Sequence, residues 1–206
     1  RQKMTLLIAR HGQTDWNLAR RWQSRSDIPL NSTGLAQAKS LARQLATEQY
    51  RPARVISSPL ARAQQTAEIL ASALGCAIEV DHTLTELDLG EWEGRLEAEL
   101  REEDAAGYDR WRSEGYLTAP PGGESLWDVA ERVRPLVAEI KAYRDDLLLV
   151  GHQGVNMAIK AQLSNCFDLD CLDRFRQAND EIDLWETHPV AFTGRLKASL
   201  SSDSDD

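Results

Sequence analysis

Thr5-Leu6-Leu7-Ile8-Ala9-Arg10-His11-Gly12-Gln13-Thr14-Asp15-Trp16-Asn17 is the stretch on which the reading of the fold turns. An apolar run of strand length, rich in Leu and Ile and bounded by polar residues, delivers Arg10 and His11 to its C-terminal end. Gly12 is expected there because it lets the backbone turn sharply. In an open α/β sheet ligands bind beyond the carboxyl ends of the strands, so Arg10 and His11 occupy an active-site position.

Outward from this strand, residues 18–30 are rich in Arg and Trp and read as an ordered loop. Asn31-Ser32-Thr33-Gly34 opens a helix to about residue 49, with Leu35, Ala38, Leu41, Ala42 and Leu45 at helical spacing. Residues 54–57 form a short second strand. Ser58 is the expected N-cap, and Pro59 the first position, of a helix that stops at Gly75. Arg62 then lies in the first turn of that helix, near the end of the second strand. A cation is unfavourable at the positive end of a helix unless an anion binds beside it, which marks Arg62 as a phosphate ligand.

Residues 77–80 read as a third strand, followed by the acidic turn Thr85-Glu86-Leu87-Asp88-Leu89-Gly90-Glu91-Trp92-Glu93-Gly94. Residues 95–116 read as helical and partly exposed, with Tyr108, Trp111 and Tyr116 interleaved among charges. Ser125 and Asp128 make a capping-box start for a helix to about residue 143. Residues 147–150 are a buried apolar strand ending on Gly151-His152-Gln153-Gly154, and a helix is expected over about 155–163. Strands at 181–186 and near 196–199 complete the sheet, and 201–206 form a disordered acidic tail. His82 and His188 fall in no motif and read as surface residues.

The 206 residues suit one α/β domain over 1–200, with 95–124 as a lid or specificity segment. With 24 Lys and Arg against 33 Asp and Glu, the formal charge of −9 argues against nucleic-acid and anionic-membrane partners. The cysteines Cys76, Cys166 and Cys171 form neither an even framework nor a CxxC pair, so buried thiols rather than disulfides or metal ligands are expected. No stretch reaches the roughly 18 apolar residues of a membrane span, and no signal-peptide pattern opens the chain, so the expected location is cytoplasmic.

Arg10, His11, Arg62, Glu86 and His152 all fall just beyond the ends of expected strands, which points to one shared site. Two imidazoles, two guanidiniums and a carboxylate suit phosphoryl transfer. Neutral imidazole is nucleophilic near pH 7, and arginine offers forked donors that match phosphate oxygens.

Arg10-His11-Gly12 with Asn17, then Ser57-Ser58-Pro59-Leu60-Ala61-Arg62-Ala63-Gln64-Gln65-Thr66-Ala67, the Glu86 turn, Gly122-Gly123-Glu124-Ser125 and Gly151-His152 come in an order that resembles the histidine phosphatase, or phosphoglycerate mutase-like, superfamily. The resemblance implies a three-layer α/β/α fold with a mostly parallel central sheet. It also implies hydrolysis of a small phosphomonoester with no metal and no organic cofactor, in the compact branch that includes α-ribazole phosphatase and metal-independent phosphoserine phosphatase. It makes His11 the phosphorylated nucleophile, Arg10 and Arg62 the phosphate clamp, His152 the second histidine and Glu86 the general acid, with Asp88 its rival. Asn17 would line the phosphate pocket. The family often has Gln-Gly where this chain has Gln23-Ser24, and Gly-His-Gly-Gly where it has Gly151-His152-Gln153-Gly154. Gln23, Ser24 and Gln153 are therefore expected to shape the substrate pocket. The alternatives are a cofactor-dependent phosphoglycerate mutase, for which Leu87 replaces an expected basic residue, and a non-catalytic phosphate-binding or interaction protein. A homodimer through the aromatic residues near 108–116 is a further expectation.

Overall fold

In the computed structural model, which describes residues 4–115 and 117–200, the opening apolar run forms the strand β1 (Thr5–Arg10). There follow α1 (Asp15–Leu18), α2 (Ser32–Thr47), β2 (Arg54–Ser57), α3 (Ala61–Leu74), β3 (Ile78–Val80), α4 (Glu97–Glu103) and α5 (Ala105–Glu114). The chain continues with α6 (Leu126–Ala142), β4 (Leu147–Gly151), α7 (Gln153–Ser164), α8 (Leu169–Arg174), β5 (Glu181–Thr187) and β6 (Val190–Lys197). The expected acidic tail and Tyr116 lie outside the described residues.

The six strands form one sheet in the order β3-β2-β4-β1-β5-β6. The β1–β4, β2–β4 and β2–β3 pairs are parallel, whereas β5 and β6 run antiparallel. Strand alternation sorts the core into two layers. Leu7, Ala9, Val55, Leu148 and Val150 pack with α2 and α3, while Leu6, Ile8, Ile56, Leu147 and Leu149 pack with α6 and α7. The expected three-layer α/β/α arrangement is the one observed. In the β1–β4 register Arg10 lies opposite Gly151, which brings His11 and His152 side by side.

Several local expectations change. The α3 helix starts at Ala61 rather than Ser58, because Leu60 stays extended and the Ser58 hydroxyl is committed elsewhere. Residues 95–115 divide into two helices at Asp104, whose carboxylate caps α5 by accepting the Gly107 N–H. Tyr108 is buried rather than exposed, packed among Trp22, Trp92 and Trp111 at ring separations of 5.7–6.5 Å. The last strand begins at Val190, extended along β5 as a hairpin partner.

The thiol expectation fails for two of the three cysteines. Asp168 caps the N-terminus of α8 and folds the chain back after α7, placing the Cα atoms of Cys166 and Cys171 6.1 Å apart. That separation suits a bridge, and the two are joined as a disulfide; Cys76 remains a free thiol. Lys160 of α7 forms a buried ion pair with Asp183 of β5 at 2.6 Å. Among the described residues no helix is long and apolar enough to cross a membrane.

Candidate active site

Four strand ends supply the site. His11 follows β1, and its backbone N–H donates to the Gly151 carbonyl at 3.1 Å, which ties it to the end of β4. Gly12 is required for space rather than for a special φ. A Cβ there would lie 2.6 Å from the Gly34 carbonyl oxygen, so the loop after β1 is pressed against the start of α2.

The imidazole of His11 is buried, with Nδ1 2.7 Å from the Gly12 carbonyl oxygen. A carbonyl only accepts, so Nδ1 carries the proton and Nε2 keeps its lone pair. Burial, then the charges of Arg62 and Arg10, hold the His11 pKa well below its usual value. The result is a neutral imidazole beside two cations.

His152 stacks obliquely against His11 with ring centroids 5.1 Å apart. It is fully buried behind its neighbour, and its Nε2 lies 2.7 Å from the Ser58 hydroxyl. That hydroxyl also accepts the Leu60 N–H; with its own proton directed to Nε2, the ring proton of His152 sits on Nδ1. Burial and the nearby Arg62 lower the His152 pKa as well.

Arg62 enters from the first turn of α3. Its terminal nitrogens donate to the carbonyls of Ser24 (2.8 Å) and Ser26 (2.5 Å), and burial pushes its pKa down to about 10. Arg10 donates to the Gln177 carbonyl at 2.8 Å, and burial lowers its pKa too. Arg10 Nε, Arg62 Nε and His152 Nδ1 are buried with no partner among the described residues. Buried polar groups are normally paired, so three unpaired groups clustered here suit an oxyanion.

Glu86 sits against the N-terminus of α7. Its Oε1 accepts the N–H groups of Leu87 (2.7 Å) and Val155 (3.1 Å), and its Oε2 accepts that of Gly154 (3.1 Å). A Cβ at position 154 would lie 2.7 Å from Oε1, so this glycine makes room for the carboxylate. Its rival Asp88 instead accepts the Gly90 N–H and is absent from the cavity wall.

Arg10, His11, Asn17, Gln23, Ser24, Arg62, Glu86 and Gln153 all line one cavity of about 280 Å³. The Asn17 Oδ1 accepts the Thr14 N–H in a capping box, which leaves the amide Nδ2 as its donor. Gln23 accepts from Thr14 Oγ1 at 2.6 Å. Ser24 occupies a left-handed conformation (φ +52°), and its hydroxyl bridges the Leu87 carbonyl and the Leu89 N–H. The Gln153 amide is satisfied by the Gln177 backbone, donating to its carbonyl and accepting its N–H. Gln153 therefore braces the carbonyl that holds Arg10 and adds little free polarity to the pocket.

Sequence reasoning missed the wall supplied by α8 and the residues just after it. Leu169, Leu172, Asp173 and Arg176 line the cavity, and Gln177 anchors Arg10. The signal available was Asp168 three residues before Cys171, an N-cap pattern for a short helix. Trp22 also lines the cavity, as do Trp111 and Arg112 of the segment expected to act as a lid or set specificity.

The family model of the histidine phosphatase superfamily (branch 1) matches residues 6–196. The chain is 38% identical over 168 residues to glucosyl-3-phosphoglycerate phosphatase of Mycobacterium tuberculosis, covering 77% of this chain and 74% of that one. It is 32% identical over 162 residues to adenosylcobalamin/alpha-ribazole phosphatase of Salmonella typhimurium, covering 78% and 79%. Among solved structures, a mycobacterial glucosyl-3-phosphoglycerate phosphatase complexed with VO3 superposes with a TM-score of 0.85 at 33% identity, over 95% of this chain and all of that one. With the motif order, the sheet and the paired histidines in agreement with these matches, the chain belongs to the histidine phosphatase superfamily, branch 1.

Proposed function

We propose that this protein hydrolyses a small phosphomonoester through a phosphohistidine on His11. The observation that carries the reading is the bond from His11 Nδ1 to the Gly12 carbonyl, which aims the chemistry at Nε2 in a buried, doubly cationic setting. His11 Nε2 attacks phosphorus while the bond to the alcohol oxygen breaks, and Glu86 passes a proton to that leaving oxygen. Glu86, now a carboxylate, takes a proton from water, which attacks the phosphohistidine and returns Nε2 to its starting state. Arg10, Arg62 and the Nδ1–H of His152 bind the three equatorial oxygens as charge spreads onto them. Asn17, Gln23 and Ser24 contribute to the phosphate end. No step calls for a metal or an organic cofactor.

The segment 95–124 serves as the lid. It contributes Trp111, Arg112 and Gly115 to the cavity and is pinned by the cluster of Trp22, Trp92, Tyr108 and Trp111. The test is hydrolysis of an aryl phosphate by wild type and His11→Ala, with and without a chelator. Activity that survives the chelator and is lost in the variant supports the reading; chelator-sensitive activity that persists without His11 contradicts it.

A further inference from the structure

Beside the candidate active site a second cavity opens at the start of α8. Leu169 lines both the active-site cavity and a second cavity of about 420 Å³, whose wall also includes Leu117, Phe167, Ser113 and Glu114. Trp111 and Arg112 of α5 line the inner cavity, and Ser113 and Glu114 of the same helix line the outer one. The two cavities adjoin at Leu169, between the end of α5 and the start of α8.

The outer part gathers large apolar side chains at the surface. Leu117 is 79% exposed and Leu169 51%, and Trp127, 45% exposed, lies 6.0 Å from the Phe167 ring. Isolated exposed leucines are ordinary, but a cluster beside a catalytic cavity marks a binding surface. The inner cavity, at about 280 Å³, lies at the lower end of ligand-site volumes and must already hold the phosphoryl group. An alcohol portion of any length extends outward along the leucines.

Charge selects its far end. Arg21, Arg112 and Arg176 line the inner cavity, whereas the outer one is edged by Glu114, Asp168 and Asp170. A second anionic group at the distal end meets three carboxylates, while a neutral hydrocarbon meets Leu117, Phe167 and Leu169.

We infer that the substrate is an amphiphilic phosphomonoester, its phosphoryl group at His11 and an uncharged hydrocarbon portion running past Leu169 onto Leu117 and Phe167. This rests on the phosphatase reading and names the substrate class of that site. The strongly acidic chain favours an amphiphile free in solution over one held in an anionic bilayer.

The test is kcat/KM for straight-chain alkyl phosphates from ethyl to decyl, below their micelle concentrations, with phenyl phosphate alongside. The expected result is a rise of about two- to fourfold per methylene that continues through the longer chains, as when a CH2 leaves water. Leu117→Asp, at an exposed position, should flatten the long-chain part of the profile, and a terminal carboxylate on the longest chain should erase its gain. Faster turnover free than in phosphatidylcholine vesicles assigns the chain to a dissolved amphiphile, and the reverse to a bilayer lipid; both keep the cleft as its site. A flat profile while phenyl phosphate is hydrolysed overturns the inference and leaves the phosphatase reading intact. So does a Leu117→Asp variant that changes the sedimentation of the protein and leaves the profile as it was, which makes the patch a contact between copies. Failure to hydrolyse any member, phenyl phosphate included, overturns both.

Discussion

At His11 a single hydrogen bond fixes the tautomer. The Gly12 carbonyl takes the Nδ1 proton, and burial beside Arg10 and Arg62 keeps the ring neutral. The same burial has a thermodynamic consequence, because the unfolded chain protonates its histidines near pH 6.5 while folded His11 and His152 resist protonation. The unfolded state then binds more protons, so stability falls as pH drops below about 6.5 toward the depressed folded values. Denaturant titrations from pH 7.5 to 5 should show this loss, and His152→Asn should make it shallower; an unchanged slope in the variant contradicts the assignment. Ser24 gives a second prediction. Its left-handed backbone costs about 1 kcal/mol that glycine avoids, while its hydroxyl joins the loop carrying Glu86 to the carbonyl holding Arg62. Ser24→Gly should therefore hold the thermal midpoint nearly constant and slow alkyl phosphates about tenfold, with a smaller loss for aryl phosphates. A falling midpoint with equal losses on both substrates makes the serine merely structural. Arg10, His11, Arg62 and His152 were legible because each stands in a local pattern at a strand end. Gln177 was not, since a lone glutamine that holds an arginine through its backbone carbonyl leaves no trace in side-chain chemistry.

At the scale of elements, the N-terminus of α7 holds the Glu86 carboxylate, the proposed acid. The N–H groups of Gly154 and Val155 fix the Glu86 carboxylate, and the glycine leaves room for it. Glu86→Gln should lower the rate on alkyl phosphates by about 10²–10³ and on nitrophenyl phosphate far less, because a good leaving group needs little protonation. Equal slowing across leaving groups removes Glu86 from the acid role. Most element boundaries were readable where a cap and a stripe coincide: Asn31 caps α2, and Ser125 with Asp128 caps α6. The start of α3 was misread because Ser58-Pro59 has the composition of a helix start. In the fold, the Ser58 hydroxyl pairs with His152, a contact 94 residues away in sequence. The α8 wall was missed for a related reason. Its six residues are too few for a periodic signal, and its position depends on the turn after α7, where Cys166 and Cys171 meet.

At the scale of the molecule, a chain of net charge −9 concentrates Arg10, Arg21, Arg62, Arg112 and Arg176 on one cavity, against Glu86 and Asp173. A cationic site in an acidic protein attracts small anions. The sheet order places β1 beside β4, and that adjacency brings the two histidines together. The central claim is that the phosphoryl group passes through His11, and rapid quenching into base followed by intact mass and peptide mapping tests it most directly. Wild-type protein mixed with an aryl phosphate should carry one added phosphoryl mass, labile to acid and mapped to the peptide containing His11, and Glu86→Gln should retain it longer. An unmodified His11 under turnover, or a phosphoryl group mapped to another residue, contradicts the account.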